Sequence, residues 1–296
     1  MSNLIFGLER RIFFAINTRL RRTPSSYPFL SGHTIMNFAQ ALYTTNREDI
    51  SWTTLESGSV VFVDAPLLNE FVASILPKIP TPFVLVTHQG DTEINSNYAI
   101  LLDNPKILRW YAQNLSFDHP RVFPLPIGLE NQFFHNNGIV SDYQKLRKKR
   151  LVKKDFRIVE AFNLGTNPDK RYPCYRALWS NPLAVHFPPC LNSRVYRQQL
   201  VHYGFVASPP GNGLDCHRTW EAMYLRVVPV VENNLMNQRF YDLGLPLVLV
   251  DDWNSMRQWT PEFLENEYTR LLPRFDSEVL WAEWWKKEIQ NIRISG

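Results

Sequence analysis

Short apolar runs alternate along the chain with stretches of helical periodicity, and this alternation is typical of α/β proteins with parallel sheets. The runs that have the length and apolar content of buried strands are Val60–Asp64, Phe83–Val86, Ile107–Gln113, Val122–Leu125, Phe156–Leu164, Ala184–Phe187, Phe205–Ala207, Val227–Val231 and Leu247–Val250. They fall into two sets, one before and one after a basic stretch near residue 150. We therefore predict an α/β fold with two doubly wound domains.

Helices are predicted between these strands from apolar spacing and from residues that begin or end helices. Pro66 suits the first position of one helix, and Asp215 is a suitable N-cap for another. The predicted helices are His33–Tyr43, Pro66–Leu76, Tyr172–Ser180, Asp215–Arg226 and Asp276–Ile292. These elements divide the chain into domains of residues 1–150 and 151–275, followed by a helical segment of residues 276–296.

Two segments carry clustered basic residues. Residues 1–22 place aliphatic side chains on one helical stripe with an arginine rim, which fits either a membrane-surface helix or a helix docked on its own domain. Residues 145–154 read KLRKKRLVKK. This run could bind phosphate or an anionic membrane surface, and the alternative is a solvated linker helix. An anionic membrane surface is therefore one candidate partner, and the local alternatives stay open.

Composition narrows the class of protein. The chain has 296 residues, of which 45% are hydrophobic, so it can bury a core and is not disordered. A net charge of +4 is too small to indicate a nucleic-acid partner. The 3 cysteines lack metal-ligand spacing and suit a reducing compartment. We find neither an apolar run of about 18 residues nor a secretory signal, so we expect a cytoplasmic protein without a transmembrane helix.

The segment from Phe205 to Val231 carries the strongest candidate chemistry. It reads as a strand, a Pro/Gly loop, a helix and a second strand. A loop that leaves a parallel strand and opens a helix is a common phosphate site, because free backbone N–H groups point there. Arg218 and Glu221 are three apart and share a helix face, where a cation suits a diphosphate and a carboxylate suits ribose hydroxyls. The alternative is an ordinary loop and a solvated ion-pair face.

This segment resembles the nucleotide-sugar-binding segment of exostosin-like glycosyltransferases, which belong to the GT-B superfamily. The match comprises Pro210, Gly211, Gly213, Asp215, Arg218, Glu221, Ala222 and Pro229. The chain departs from the pattern at Arg226 and Val227, where the family commonly has Gly-Cys. The resemblance is good over Phe156–Trp259, partial over Phe83–Glu130 and absent at the N-terminus.

The resemblance implies a GT-B-like fold, in which two Rossmann-like domains face a cleft and the C-terminal helix crosses back to the first domain. It implies an inverting, metal-independent transfer from a nucleotide-sugar donor to a glycan or a lipid-linked glycan, at the cytoplasmic face of a membrane. The nucleotide sugar is a co-substrate, and no cofactor is implied. The expected donor-binding residues are Arg171, Ser208, Asn212, Gly213, Arg218 and Glu221.

An inverting transfer also needs a general base for the acceptor hydroxyl, and the donor geometry places it on the first domain. His88 and Asp91 follow a predicted buried strand and are the candidate catalytic residues. Asp64, at another strand end, is the reserve. The alternative is a loop aspartate that caps the next segment and a histidine in a core hydrogen bond.

Two other functions stay open. Asp251 and Asp252 follow an apolar strand, and such a pair could hold Mg²⁺ or Mn²⁺ against a diphosphate, as in GT-A transferases. A protein that keeps the fold but only binds glycans is the second alternative, because a fold does not establish an activity.

Overall fold

The computed structural model describes residues 24–45, 47–48, 51–132, 137–148, 153–188 and 191–291. The predicted amphipathic segment of residues 1–22 and the centre of the basic run, residues 149–152, lie outside the described residues. The strands are β1 Ala41–Thr44, β2 Arg47–Glu48, β3 Val60–Asp64, β4 Phe83–His88, β5 Ile107–Ala112, β6 Val122–Pro124, β7 Asp155–Glu160, β8 Ala184–His186, β9 Tyr203–Ala207, β10 Val228–Glu232 and β11 Val248–Val250.

The described strands form two sheets with helices between them. The first sheet has the order β2-β1-β3-β4-β5-β6, and the second has the order β11-β10-β9-β7-β8. Every pairing is parallel except that of β1 with β2. The helices are α1 Gly32–Met36, α2 Leu68–Ser74, α3 Val140–Arg147, α4 Pro168–Leu178, α5 Ser193–Leu200, α6 His217–Tyr224, α7 Leu235–Asp242, α8 Pro261–Leu271 and α9 Ala282–Gln290. The predicted α/β class with two mainly parallel sheets is confirmed.

The central strands β3 and β4 are mostly apolar because helices cover both faces of a parallel sheet, and polar residues such as Asp64 and His88 lie at their carboxyl ends. Every residue of β3 and β4 is buried. One apolar cluster continues from one sheet to the other, since it contains Val86 of β4, Val206 of β9 and Trp285 of α9. The two halves of the chain therefore share part of one core.

The last helix packs against residues from the beginning of the chain. The amide of Ala282 donates to the Pro28 carbonyl at 3.0 Å. The Gln290 amide donates to the Phe38 carbonyl at 2.8 Å, and the Tyr111 hydroxyl donates to the Glu288 carbonyl at 2.9 Å. These bonds join α9 to the segments on either side of α1 and to strand β5 of the first sheet.

All five predicted helices have different bounds in the structure, and α4 begins at Pro168 instead of Tyr172. The first ends at Met36, and Ala41–Thr44 is a strand because Ala41 to Tyr43 pair with Val61 to Val63 of β3. Tertiary pairing here overrides an apolar spacing that fits a helix. Pro66 lies in a short 3₁₀ turn, Ala65–Leu67, that precedes α2, and the last helix begins at Ala282 instead of Asp276.

Asp215 is not the N-cap of the helix after the Pro/Gly loop. Helix α6 begins at His217 with Cys216 at the capping position. The buried carboxylate of Asp215 instead accepts from the Ile127 amide and from the Trp220 indole, each at 2.8 Å. This carboxylate therefore fixes the start of α6 to the loop that follows β6 of the first sheet.

Candidate functional site

A cavity of about 560 Å³ lies at the carboxyl ends of strands β7 and β8. Parallel α/β sheets bind ligands at this edge, because the loops that leave the strands meet there. Glu160 and His186 end the two strands and line the cavity, and Arg218 and Glu221 reach it from the first two turns of α6. The volume is within the range of pockets that hold small-molecule ligands.

Arg218 and Glu221 give this cavity a cation beside a carboxylate. One guanidinium nitrogen of Arg218 donates to the Ala161 carbonyl at 3.0 Å, and the group lies 5.8 Å from the centre of the Phe162 ring. Only 6% of Glu221 is exposed, and burial raises its pKa while the charges of Arg197 and Arg218 act in the opposite direction. The arrangement can accept hydroxyl hydrogens and balance a diphosphate charge within one cavity.

Helices α3 and α5 support Glu221 from behind. Arg197 of α5 is buried and donates to the Asp142 carboxylate at 2.8 Å, which holds the guanidinium near Glu221. Tyr196 also lines the cavity, and its buried hydroxyl lies beside the Arg218 guanidinium but forms no hydrogen bond of standard geometry with the described residues. A buried polar group of this kind costs free energy unless a ligand or water satisfies it.

Aromatic side chains form one wall of the same cavity. The rings of Tyr175 and Trp179 are 5.3 Å apart, and Trp179 is 5.9 Å from the His186 ring. Trp179 is 65% exposed, which is unusual for so large an apolar side chain. His186 is held by Glu160, with 3.0 Å between Nδ1 and the carboxylate. Such a wall can stack a planar base or the apolar face of a sugar.

The structure brings two of the six sequence-predicted donor residues, Arg218 and Glu221, into this cavity. Arg171 is buried and donates to the carbonyls of Pro210 at 3.0 Å and Asn163 at 2.6 Å, so it holds the Pro/Gly loop. The Ser208 hydroxyl is paired with the Thr219 hydroxyl at 2.9 Å.

The other two predicted donor residues lie in the Pro/Gly loop, away from the cavity wall. A Cβ on Gly213 would lie 2.7 Å from the Asn114 amide, so this glycine packs against the first half of the chain. Asn212 is exposed and does not line the cavity. Sequence spacing did not identify Tyr196, His186 or Trp179, because their place in the cavity depends on how α4 and α5 pack.

A second cavity, of about 380 Å³, lies at the carboxyl end of β4. Its walls include His88 and Asp91, the predicted catalytic residues, together with Glu130 and His217. The Nε2 atom of His88 donates to the Pro126 carbonyl at 2.9 Å. Its Nδ1 atom accepts from the backbone N–H of Gln89 at 2.7 Å. Burial lowers the pKa of His88 to about 4. Both ring nitrogens are already engaged, whereas Asp91 is exposed at the rim.

Backbone strain marks this second cavity. Gln89 has φ = 59°, a left-handed conformation that is uncommon for residues with a side chain. The side-chain oxygen of Gln89 accepts from the side-chain amide of Asn131 at 3.4 Å. The side-chain nitrogen of Gln89 is buried and has no hydrogen-bond partner among the described residues. Strain and an unsatisfied donor at one position are features that occur often at ligand sites.

The acidic pair Asp251 and Asp252 lines a third cavity, of about 490 Å³, elsewhere on the second sheet. Both side chains are exposed; Asp251 accepts from the Asn233 amide at 2.7 Å, and Asp252 accepts from the Asn254 amide at 2.9 Å as a helix cap. Within the described ranges, no group of three or more His, Cys, Asp or Glu side chains is placed to hold a metal ion. The reserve base Asp64 is buried and accepts from the Thr45 amide at 2.9 Å.

Comparison of the chain with known proteins identifies no relative: no protein-family model matches it, and no curated protein matches it either. Among the helices that the structure describes, none is both long enough and apolar enough to cross a membrane. The first two cavities and the residues that line them therefore carry the functional argument.

Proposed function

We propose that the protein is an inverting glycosyltransferase that moves a sugar from a nucleotide-sugar donor to a glycan or lipid-linked glycan. The observation that carries the proposal is the side-by-side placement of Arg218 and Glu221 in the larger cavity, at the carboxyl edge of a parallel sheet. A ligand for this cavity needs a negative group and vicinal hydroxyls, and a nucleoside diphosphate has both.

Each part of the donor has a matching wall in the larger cavity. The diphosphate lies against Arg218, and the ribose hydroxyls donate to Glu221. The nucleobase stacks on the exposed ring of Trp179. The unsatisfied hydroxyl of Tyr196 donates to a ligand oxygen, which offsets the free-energy cost of burying it. In this proposal the two sheets are the two Rossmann-like domains of a GT-B-like enzyme, and the smaller cavity receives the acceptor.

No metal ion is needed in this proposal, because Arg218 supplies the positive charge that the departing diphosphate requires. The rival, a metal-dependent GT-A-like reaction, assigns that charge to a cation held by Asp251 and Asp252. Two exposed carboxylates, one of which caps a helix, are a weaker match to a diphosphate than the partly buried Arg218. An acceptor that carries a lipid would bring the enzyme to the cytoplasmic face of a membrane.

The test is calorimetry of the protein with UDP, GDP and CMP, followed by the variant Arg218→Ala. We expect the variant to bind its nucleotide about 1.5–3 kcal/mol more weakly, the range for a charge-assisted hydrogen bond. Arg176→Ala is the matched control, because Arg176 is an exposed arginine on α4 outside the cavity lining.

Unchanged affinity in a folded Arg218→Ala protein would refute this donor site. Binding without any transfer to sugar acceptors or to water would favour the non-catalytic, glycan-binding alternative. Binding to none of the three nucleotides would remove the nucleotide-sugar proposal itself.

A further inference from the structure

The two cavities meet at the first turn of α6. His217 lines the smaller cavity, while the next residue, Arg218, lines the larger one. Consecutive Cα atoms are about 3.8 Å apart, so these side chains diverge from one point into different cavities. The loop after β6 also borders both cavities, because Glu130 lines the smaller cavity and Asn137 lines the larger one. The backbone N–H of Asn137 donates to the Glu130 carboxylate at 3.1 Å. The first turn of α6 therefore borders both cavities.

The hydrogen bonding of His217 determines which ring nitrogen is basic. Its Nδ1 lies 2.8 Å from the Gly128 carbonyl, which can only accept, so Nδ1 carries the hydrogen and Nε2 carries the lone pair. Gly128 has φ = 69°, and a Cβ there would lie 2.4 Å from the Leu30 carbonyl oxygen. Only glycine fits this position, so the carbonyl that orients the imidazole is itself held in place.

Burial is the largest influence on the pKa of His217 and lowers it, whereas the Gly128 carbonyl and two nearby carboxylates act in the opposite direction. Asp91, on the loop after β4, and Glu130, on the loop after β6, both act to stabilise the protonated imidazole. The other titratable groups of this region are His88 of β4 and His33 of α1, and a positive charge on His217 or His33 opposes protonation of His88. His88 cannot take the role itself without breaking one of its two hydrogen bonds.

We infer that His217 is the catalytic base of the transfer, an inference that rests on the glycosyltransferase function proposed above. Nε2 takes the proton of the acceptor hydroxyl while the hydroxyl oxygen bonds to the anomeric carbon of the donor. The bond from that carbon to the diphosphate oxygen breaks, and its electron pair leaves on the diphosphate beside Arg218. The imidazolium then returns its proton to solvent. The base thus comes from the second half of the chain and not from the loop after β4.

The test uses release of nucleoside diphosphate from the UDP- or GDP-sugar whose nucleotide binds in calorimetry, with water as the acceptor. His217→Asn retains an amide N–H that can donate to the Gly128 carbonyl but removes the basic nitrogen. We expect turnover to fall by about 10²–10⁴-fold, the usual contribution of general-base catalysis. Nucleotide affinity should change by less than about twofold, because Arg218 and Glu221 are untouched. His202→Gln is the control, because His202 is an exposed histidine outside the lining of both cavities, and it should keep wild-type turnover.

Two further measurements separate catalysis from a structural role. Added imidazole should restore turnover to His217→Ala in proportion to its concentration, and it should not affect the wild type. Asp91→Asn should move the acid limb of the pH–rate profile to lower pH, because the lost carboxylate no longer favours protonated His217.

Near-full turnover in a His217→Asn protein that binds nucleotide would overturn the assignment of the base and leave the donor site intact. Loss of turnover in Asp91→Asn by about 10²-fold or more, with His217→Asn active, would assign the base to Asp91. Absence of nucleotide binding by the wild type would overturn both proposals together.

Discussion

At the residue scale, buried ionisable groups surround the smaller cavity, and they respond to pH in opposite directions. Burial lowers the pKa of His88 to about 4 and raises the pKa of Asp215 to about 6. As the pH falls from 6.5 to 4, His88 takes up a proton in the unfolded protein but not yet in the native protein. Protonation therefore favours the unfolded state, and the native state loses stability. For Asp215 the sign is reversed, because native Asp215 takes up its proton first.

The variant His88→Gln isolates the histidine contribution from these opposing effects. The lowered pKa of native His88 contributes stability that is lost as the pH falls below 6.5. Between pH 7.5 and pH 5 we therefore expect the free energy of unfolding of the wild type to fall by about 2 kcal/mol more than that of the variant. Urea unfolding at both pH values measures this difference. His202→Gln, at an exposed histidine, is the control and should follow the wild type. Equal losses for wild type and His88→Gln would show that His88 is accessible to protons in the native state.

At the scale of the element, helix α6 ends in a tight turn at Arg226. Arg226 has φ = 56°, where the resembling sequences commonly have glycine. The Val227 amide donates to the Ala222 carbonyl at 2.9 Å and the Arg226 amide donates to the Met223 carbonyl at 3.1 Å, which together form a Schellman motif. The turn is therefore as tight as a glycine would make it, although the residue is strained.

This strain predicts the relative stability of two substitutions at Arg226. Arg226→Gly and Arg226→Ala both remove the ion pair with Asp276, but only glycine relieves the left-handed backbone. We expect the glycine variant to be more stable than the alanine variant by about 1 kcal/mol in chemical denaturation. Both variants lack the ion pair, so its contribution to stability cancels when the two are compared. Equal stability would mean that the turn relaxes to another conformation when the arginine is removed.

At the scale of the whole molecule, the Pro/Gly loop joins the two halves of the chain. Asn114 follows β5 of the first sheet, and its amide oxygen accepts from the Asp215 amide at 3.0 Å. Gly213 packs against the same amide group, and the carboxylate of Asp215 accepts from the Ile127 amide. The Pro/Gly loop, which the sequence predicts to bind the donor, thus also holds the two halves of the chain and their cavities next to each other.

This contact predicts a structural effect for Gly213→Ala. The added methyl group would lie 2.7 Å from the Asn114 amide and must displace it, so we expect a loss of about 1–3 kcal/mol in the free energy of unfolding. Nucleotide affinity should stay within about twofold of wild type. Asn212→Ala, one residue earlier and exposed, is the control and should be neutral in both measurements. A Gly213→Ala protein of unchanged stability that binds nucleotide weakly would instead support the donor role predicted from the sequence.

The sequence by itself determined the α/β class and the position of every predicted strand, because buried parallel strands are mostly apolar and can be recognised locally. It missed β2, and it missed β1, whose apolar spacing also fits a helix until β3 is beside it. It identified Arg218 and Glu221 correctly as neighbours on one helix face, since that relation depends only on helical spacing.

The tertiary structure alone decided which polar side chains face a cavity. Arg171 and Arg218 are both arginines near the start of a helix, yet the first holds the Pro/Gly loop and the second lines the larger cavity. His88 and His217 both line the smaller cavity, but only His217 has a ring nitrogen that its protein hydrogen bonds leave basic. These roles depend on contacts such as that of Gly128 with His217, between residues far apart in the chain, and no local pattern records such contacts.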